Sequence, residues 1–504
     1  MNLWATKSIT SLRAEADAVT ERSLKRALGP LNLITLGIGA IIGAGIFVMT
    51  GIGAHGSMNA DGTVKILGAG PALVLSFILS GIACVFAGLC YAEFASMIPL
   101  AGSAYTYAYA TLGELFAWII GWDLVLEYMM GAATVSVGWS GYLTKFLKLF
   151  GLHLPEWLTH DWITYSRAAA AAVADGHAWP APPELFGIPI VFNLLALLVA
   201  LLVTSVLAVG IQESARFNSS IVAIKNSVVV MVILVGAFFV KPVNWGASWS
   251  DFAPNGFAGI ASGAAYIFFA YIGFDAISTT AQEAKNPQKD MPFGIIGSLL
   301  ICTVLYIAVA AVLTGMTKWN LIDLKAPLAQ AFESYHLGWA VFLITGGALA
   351  GLTSVMLVML LGQTRVFFAM SRDGLLPRKV FGEVHKRHRT PFKMTWIVGM
   401  ICALLGAFTP IDDLGQMVNI GTLLAFVIVC VAVIILRRTN PETHRPFRTP
   451  LVPLVPILGA LSCFYLMTNL GWHTWARLVI WLIIGLVIFF AYSRKHSKLT
   501  VKAS

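Results

Sequence analysis

Three ionisable side chains stand in stretches otherwise suited to hydrocarbon: Asp123, Glu127 and Lys225. The two acids fall at i and i+4, on one helical face, with no lysine or arginine nearby in sequence. An acid at mid-membrane costs about 2.5 kcal/mol or more, so each needs a cavity or a partner, or is a protonated structural acid. Lys225 follows Arg216 by nine residues, ~13 Å along a helix. It either snorkels in part to the inner surface or is a buried amine acting as a proton carrier, since desolvation disfavours the charged form. Thr353 and Ser354 offer hydroxyls that receive a cation or bond to the preceding turn. This is the chemistry of binding and releasing protons or small cations. The ten histidines fall in loops, span ends or tails, and the six cysteines (Cys84, Cys90, Cys302, Cys402, Cys430, Cys463) lack paired short spacings. They read as core residues, with no metal site, no cofactor and no disulfide. An intramembrane enzyme would need a nucleophile with its base, or metal-ligand spacing, inside the spans, and is set aside.

The elements that must position these groups are two interrupted helices. Gly37-Ile38-Gly39-Ala40-Ile41-Ile42-Gly43-Ala44-Gly45-Ile46-Phe47 lies in an uncharged run from about Leu31 to Ala54, long enough to cross a bilayer. Its glycines cost a helix about 1 kcal/mol each, which predicts a break near Ile42 to Gly45. Such a break is tolerated only where freed amides and carbonyls meet protein, water or a ligand. The competing reading is close packing, and Gly39 with Gly43 has the small-xxx-small spacing. A second break is expected in Ala261 to Asp275, at Gly273 and Asp275. The two interrupted spans are the first and the sixth. That spacing halves ten spans into five plus five of opposite orientation, the inverted-repeat plan of many secondary transporters.

Composition agrees: 504 residues, 58% hydrophobic and 11% charged, with mean hydropathy +0.81, describe a polytopic membrane protein. Runs of ~20 apolar residues predict twelve spans, at 32–54, 70–95, 113–143, 187–209, 218–240, 257–283, 293–317, 338–364, 394–409, 418–436, 454–471 and 475–493. The chain divides into a tail (1–30), a transport core (31–436), two scaffold helices (437–493) and a second tail (494–504). The repeats occupy about 31–240 and 257–436, with an outer loop at 144–187 carrying one short helix. Residues 1–30 read as an amphipathic surface segment or a disordered tail. Residues 91–105 read as a short cytoplasmic helix or re-entrant piece, with Glu93 capping or pairing near the inner interface. Lys7, Arg13, Arg22, Lys25 and Arg26, the segments 372–393 and 437–448, and Arg494, Lys495, Lys498 and Lys502 all fall on one side. This places both termini in the cytoplasm. The net charge of +9 then belongs to basic loops beside anionic lipid and not to nucleic acid.

The break Gly37 to Phe47, Tyr91-Ala92-Glu93-Phe94, Pro99-Leu100-Ala101-Gly102-Ser103-Ala104-Tyr105, Phe268-Phe269-Ala270-Tyr271-Ile272-Gly273-Phe274-Asp275, Asn286-Pro287 and Met370-Ser371-Arg372-Asp373-Gly374-Leu375-Leu376-Pro377 together resemble the amino acid-polyamine-organocation (APC) transporters. The chain is most similar to bacterial members of the cationic amino acid transporter (CAT) subfamily, over about residues 25–500; the long 144–187 loop departs from it. The resemblance implies an all-α, leucine-transporter-like fold with broken helices 1 and 6 and alternating access. It places the substrate carboxylate at the amides of Gly43, Ala44 and Gly45, at the amino end of a half-helix. The ammonium would meet carbonyls at Ile41, Phe269, Ala270 and Ile272, with Phe269 as gate. Glu127, Val358 and Met359 would line the side-chain pocket. Lys225, with Thr353 and Ser354, would stand where sodium-coupled relatives hold their cation.

The reading that follows is a proton-coupled symporter of L-amino acids, small neutral ones such as alanine, in a plasma membrane and for a bacterium the inner membrane. The alternative is an exchanger of cationic amino acids or polyamines. Expected partners are the amino acid, protons, membrane lipid and a small single-span accessory helix. A receptor that signals without net transport would need a large soluble domain, and none is evident.

Overall fold

A computed structural model describes residues 6–7, 28–59, 62–98, 103–174, 176–210, 215–275, 277–278, 284–385, 387–388, 390 and 391–498. The surface segment expected in 1–30 and the Pro99-Leu100-Ala101-Gly102 motif lie almost wholly outside these residues.

The first apolar run forms a helix, α1 (Pro30–Ile41), which stops where the glycines concentrate. Pro30 suits its first turn, where a missing N–H costs nothing. The chain resumes through a π turn (Gly45–Met49) into α2 (Thr50–His55), bent by 43° from α1. A short antiparallel hairpin, β1 (Gly56–Met58) and β2 (Val64–Leu67), follows, pairing Gly56 with Leu67.

The main helices that follow include one for each remaining expected span, in order, with three shorter helices between them. They are α3 (Leu73–Met97), α4 (Ser103–Thr111), α5 (Glu114–Lys148), α6 (Trp162–Ala174), α7 (Leu194–Val209), α8 (Ala215–Gly236), α9 (Gly256–Ile267), α10 (Pro287–Met316), α11 (Pro327–Glu333), α12 (Gly338–Arg372), α13 (Phe392–Phe408), α14 (Ile411–Thr439), α15 (Leu454–Thr468) and α16 (Trp472–Ile488). Among the described residues seven helices, and the bent pair as an eighth, are long and apolar enough to span; α7, α13 and α15 are shorter apolar helices. The protein is thus an all-α polytopic membrane protein. The fourth span starts later than hydropathy predicts, because a tight hairpin at 184–189 takes its first residues and the Asn193 side chain then caps α7. Residues 91–97 belong to α3 and not to a separate piece, and α4 is the short helix that follows.

Long α5 is the central post, packed against α12 and α14, while α3 lies along α10. All six cysteines are free and buried.

Two faces close the bundle. On the cap face, α6 from the 149–193 connection and the β1–β2 hairpin meet the start of α14. There Lys65 bridges Asp412 (3.0 Å) and Asp413 (2.9 Å), Arg167 of α6 reaches Asp412 (3.4 Å), and Arg477 of α16 reaches Asp413 (2.5 Å). On the tail face, Lys7 pairs with Asp373 (2.7 Å), whose other oxygen accepts from the Tyr105 hydroxyl. The Lys498 amide donates to the Asp373 carbonyl, and Ser497 donates to Glu114. Glu93 also lies near this face, held by both ends of the Arg437 guanidinium (3.1 and 2.8 Å) and by the Thr449 amide. The pairing expected for it is therefore present.

Candidate functional site

The two breaks meet at the centre of the bundle. α9 ends at Ile267 and tightens into a 3-10 turn, Phe268–Tyr271. Gly45 of the first break lies directly on Ala270 of the second, so close that a Cβ at Gly45 would overlap the Ala270 Cα. In the other direction Gly273 takes φ 118°, and a Cβ there would sit 2.7 Å from the Ala40 carbonyl oxygen. Only glycine permits both the left-handed conformation and this approach.

Breaking a helix frees carbonyls, and buried carbonyls need donors. Each of the freed groups described next has one. The Lys225 ammonium donates to the carbonyls of Gly39 and Ile42, the latter at 2.8 Å. The Tyr306 hydroxyl lies between Ile41 O (3.0 Å) and Ala270 O (2.9 Å), tying one break to the other. Tyr142 donates to Phe47 O (2.6 Å), and the Asn419 amide spans Ala265 O (2.9 Å) and Tyr266 O (2.6 Å). These partners come from α5, α8, α10 and α14, so four separate helices hold the breaks open.

Lys225 is fully buried (0% exposed), so it does not snorkel. Its methylene stem runs along Gly351 of α12. Ser354, one turn on, is buried too. Thr353 is engaged elsewhere: it donates to Leu349 O and accepts from the Trp139 indole at 3.0 Å.

Gly43, Ala44 and Gly45 stand at the start of the second half-helix, where the first-turn amides lack helical acceptors. Phe269, Ala270 and Ile272 are buried beside them, and the Phe269 carbonyl accepts from the Ile272 amide (3.2 Å). Met359 is buried with its sulfur against Gly131, one turn beyond Glu127 on α5. Val358 departs from expectation: at 42% exposed it points away from the centre. The physical reason is the 100° turn between consecutive helical residues: with Met359 facing inward, Val358 falls on the outer side of α12. Asp123 and Glu127 are both buried; among the described residues neither Asp123 oxygen has a hydrogen-bond partner, and Glu127 leaves one oxygen unpaired. Asp123 packs on Gly421 of α14.

Sequence reasoning did not find Tyr306, Tyr142, Asn419 or Trp139. A signal existed: each is a polar donor inside an apolar helix, and the glycine-rich breaks create acceptors that such donors must satisfy.

The two breaks thus bring together first-turn amides, carbonyls met by side-chain donors and one buried amine. The sequence profile of the family described as "Amino acid permease" matches residues 28–491. The branched-chain amino acid permease BcaP of Bacillus subtilis (strain 168) is 49% identical over 494 residues, covering 98% of both chains. A methylthioribose transporter of the same organism is 44% identical and covers 99% of both. The vacuolar cationic amino acid transporter 2 of Arabidopsis thaliana is 30% identical, over 97% of this chain and 93% of its own. With a profile spanning nearly the whole chain and relatives matched end to end, the chain belongs to the amino acid permease family of the APC superfamily, as a transporter and not an enzyme.

Proposed function

We propose that the protein is a proton-coupled symporter of neutral L-amino acids, working by alternating access of the inverted repeats 31–240 and 257–436 around the paired breaks, with both termini cytoplasmic. The observation that carries this is Lys225, wholly buried, with its ammonium on the carbonyls of Gly39 and Ile42. An ammonium there supplies the single positive charge a bound sodium ion would supply. Unlike sodium, it can leave as a proton while the lysine stays.

In this cycle the amides of Gly43, Ala44 and Gly45 receive the substrate carboxylate at a helix amino end. The carbonyls of Ile41, Phe269, Ala270 and Ile272 receive its ammonium, with Tyr306 yielding Ile41 and Ala270, and Phe269 closes over it. Buried Met359 against Gly131 favours an apolar side chain, because it gives a guanidinium no partner. The relative named for branched-chain amino acids supports a neutral substrate and extends the size range beyond alanine.

The test is uptake of labelled alanine, leucine and arginine into proteoliposomes, without sodium, with and without an inward proton gradient. Gradient-driven accumulation of a neutral amino acid, lost in Lys225→Ala, supports the reading. Arginine uptake that needs internal arginine or polyamine and ignores the gradient replaces it with exchange.

A further inference from the structure

Away from the breaks, a cavity of about 410 Å³ opens between α5, α13, α14 and α16. Its walls are apolar, with Leu126, Leu405, Met417, Trp481 and Ile484 along its length. Polar groups gather at its cap-face end: Thr409, Asp413 and Arg477. From Arg477 to Ile484 is seven residues, about 10 Å down the helix. Trp481 is fixed in place by stacking on Trp122, with ring centroids 4.5 Å apart, and by reciprocal indole-to-carbonyl hydrogen bonds (2.9 and 3.0 Å). The slot is therefore a preformed feature and not a gap between loose side chains.

We infer that this slot holds one acyl chain of a phospholipid from the cap-face leaflet, with the lipid phosphate on Arg477. The match is one of amphipathy and charge. An apolar channel runs down between the helices from a cation at its cap-face end. The Arg477 side chain is 45% exposed, and its one protein partner among the described residues is Asp413, through Nη1. Most of its N–H donors remain for an outside acceptor, and a guanidinium binds phosphate in a planar two-pronged fashion. Size argues against a helical occupant: a helix about 10 Å across occupies roughly 420 Å³ per 5.4 Å turn, so the whole slot would take a single turn.

The site also touches the cap-face ion pairs. Asp413 is shared by Arg477 and Lys65. A phosphate that draws Arg477 toward itself leaves Asp413 to Lys65 and tightens the hairpin onto α14.

The experiment uses the full chain purified in detergent, with phosphatidylglycerol added, and reads bound lipid by native mass spectrometry. Wild type is expected to keep one phospholipid at collision energies that strip the rest. Arg477→Gln is expected to weaken retention about tenfold. Leu405→Trp, which fills the slot and leaves the guanidinium intact, is expected to abolish it, while Arg477→Lys retains part. A bare wild type, equal retention in all variants, or a single-span helix cross-linked into the slot overturns the inference. A second measurement needs no variant. Phosphatidylglycerol spin-labelled on its acyl chain should show one immobilised component on wild type, displaced by unlabelled phosphatidylglycerol and not by inorganic phosphate. Absence of that component, or its displacement by phosphate alone, also overturns it.

Discussion

Gly45 and Ala270 touch backbone to backbone, and this contact joins the two broken helices at the centre of the protein. Neither side can yield, because each is main chain held by its own half-helix. Gly45→Ala should therefore cost about 1–3 kcal/mol by overpacking. It should lower the thermal midpoint and abolish the shift that substrate produces. A variant with the wild-type midpoint and wild-type uptake would show that the breaks can move apart freely.

Tyr306 is the only side chain seen to bridge the two breaks among the described residues. Tyr306→Phe keeps the ring and removes the donor, leaving Ile41 O and Ala270 O without it. The expected loss is about 1–3 kcal/mol, from buried carbonyls left short of a partner. Substrate affinity should change with it, because the proposed ammonium site uses the same two carbonyls. Thermal unfolding with and without substrate separates these effects, and unaltered affinity would remove Tyr306 from the site.

Asp123 sets stability and transport against each other. A buried carboxyl with neither oxygen bonded is a liability that an apolar replacement of similar shape relieves. Asp123→Leu should raise the thermal midpoint while reducing uptake, the trade expected of a group kept for function. If the variant transports as wild type does, Asp123 is a structural remnant. If it is instead less stable, the carboxyl has a partner that binds in solution.

The cap-face connection carries a pH dependence of its own. His160 is held well below its ordinary range, at about 3, first by burial and then by the Lys325 ammonium. The ring nitrogen Nδ1 lies 2.9 Å from the Glu156 carbonyl, and the Glu156 carboxylate 3.2 Å away faces a neutral ring and forms no ion pair with it at neutral pH. The folded ring stays neutral while the unfolded one takes a proton below about 6.5. The folded cap consequently loses stability as pH falls from about 6.5 toward 3, at up to about 1.4 kcal/mol per unit. Hydrogen exchange of residues 156–174 at pH 7 and pH 4.5 checks this. Wild type should open more at the lower pH, and His160→Gln should flatten the difference.

What the sequence showed and hid follows from where the information lies. Glycine spacing is local, so the break at Ile42–Gly45 and the disturbance before Gly273 were both legible. The burial of Lys225 was also approachable, because nine residues from the nearest cation set a limit on its reach. The donors Tyr142, Tyr306 and Asn419 were not, since each answers a carbonyl from a helix distant in the chain: Tyr306 bonds Ile41 across 265 residues. Of the two readings open for Thr353, the structure shows the bond to the preceding turn, at Leu349 O, and adds a donor that the sequence did not reveal, the Trp139 indole from another helix. Val358 failed on a local rule, the helical turn separating it from Met359.

Lys7, early in the chain, and the amide of Lys498, late in it, meet on Asp373. During synthesis the first of these residues emerges hundreds of residues before its neighbour. The tail face therefore stays unsealed until the last helix has left the ribosome and entered the membrane. A nascent chain stalled before α16 would expose Asp373 and Glu114 with their final partners missing, which quality-control proteases can read as an unfinished product.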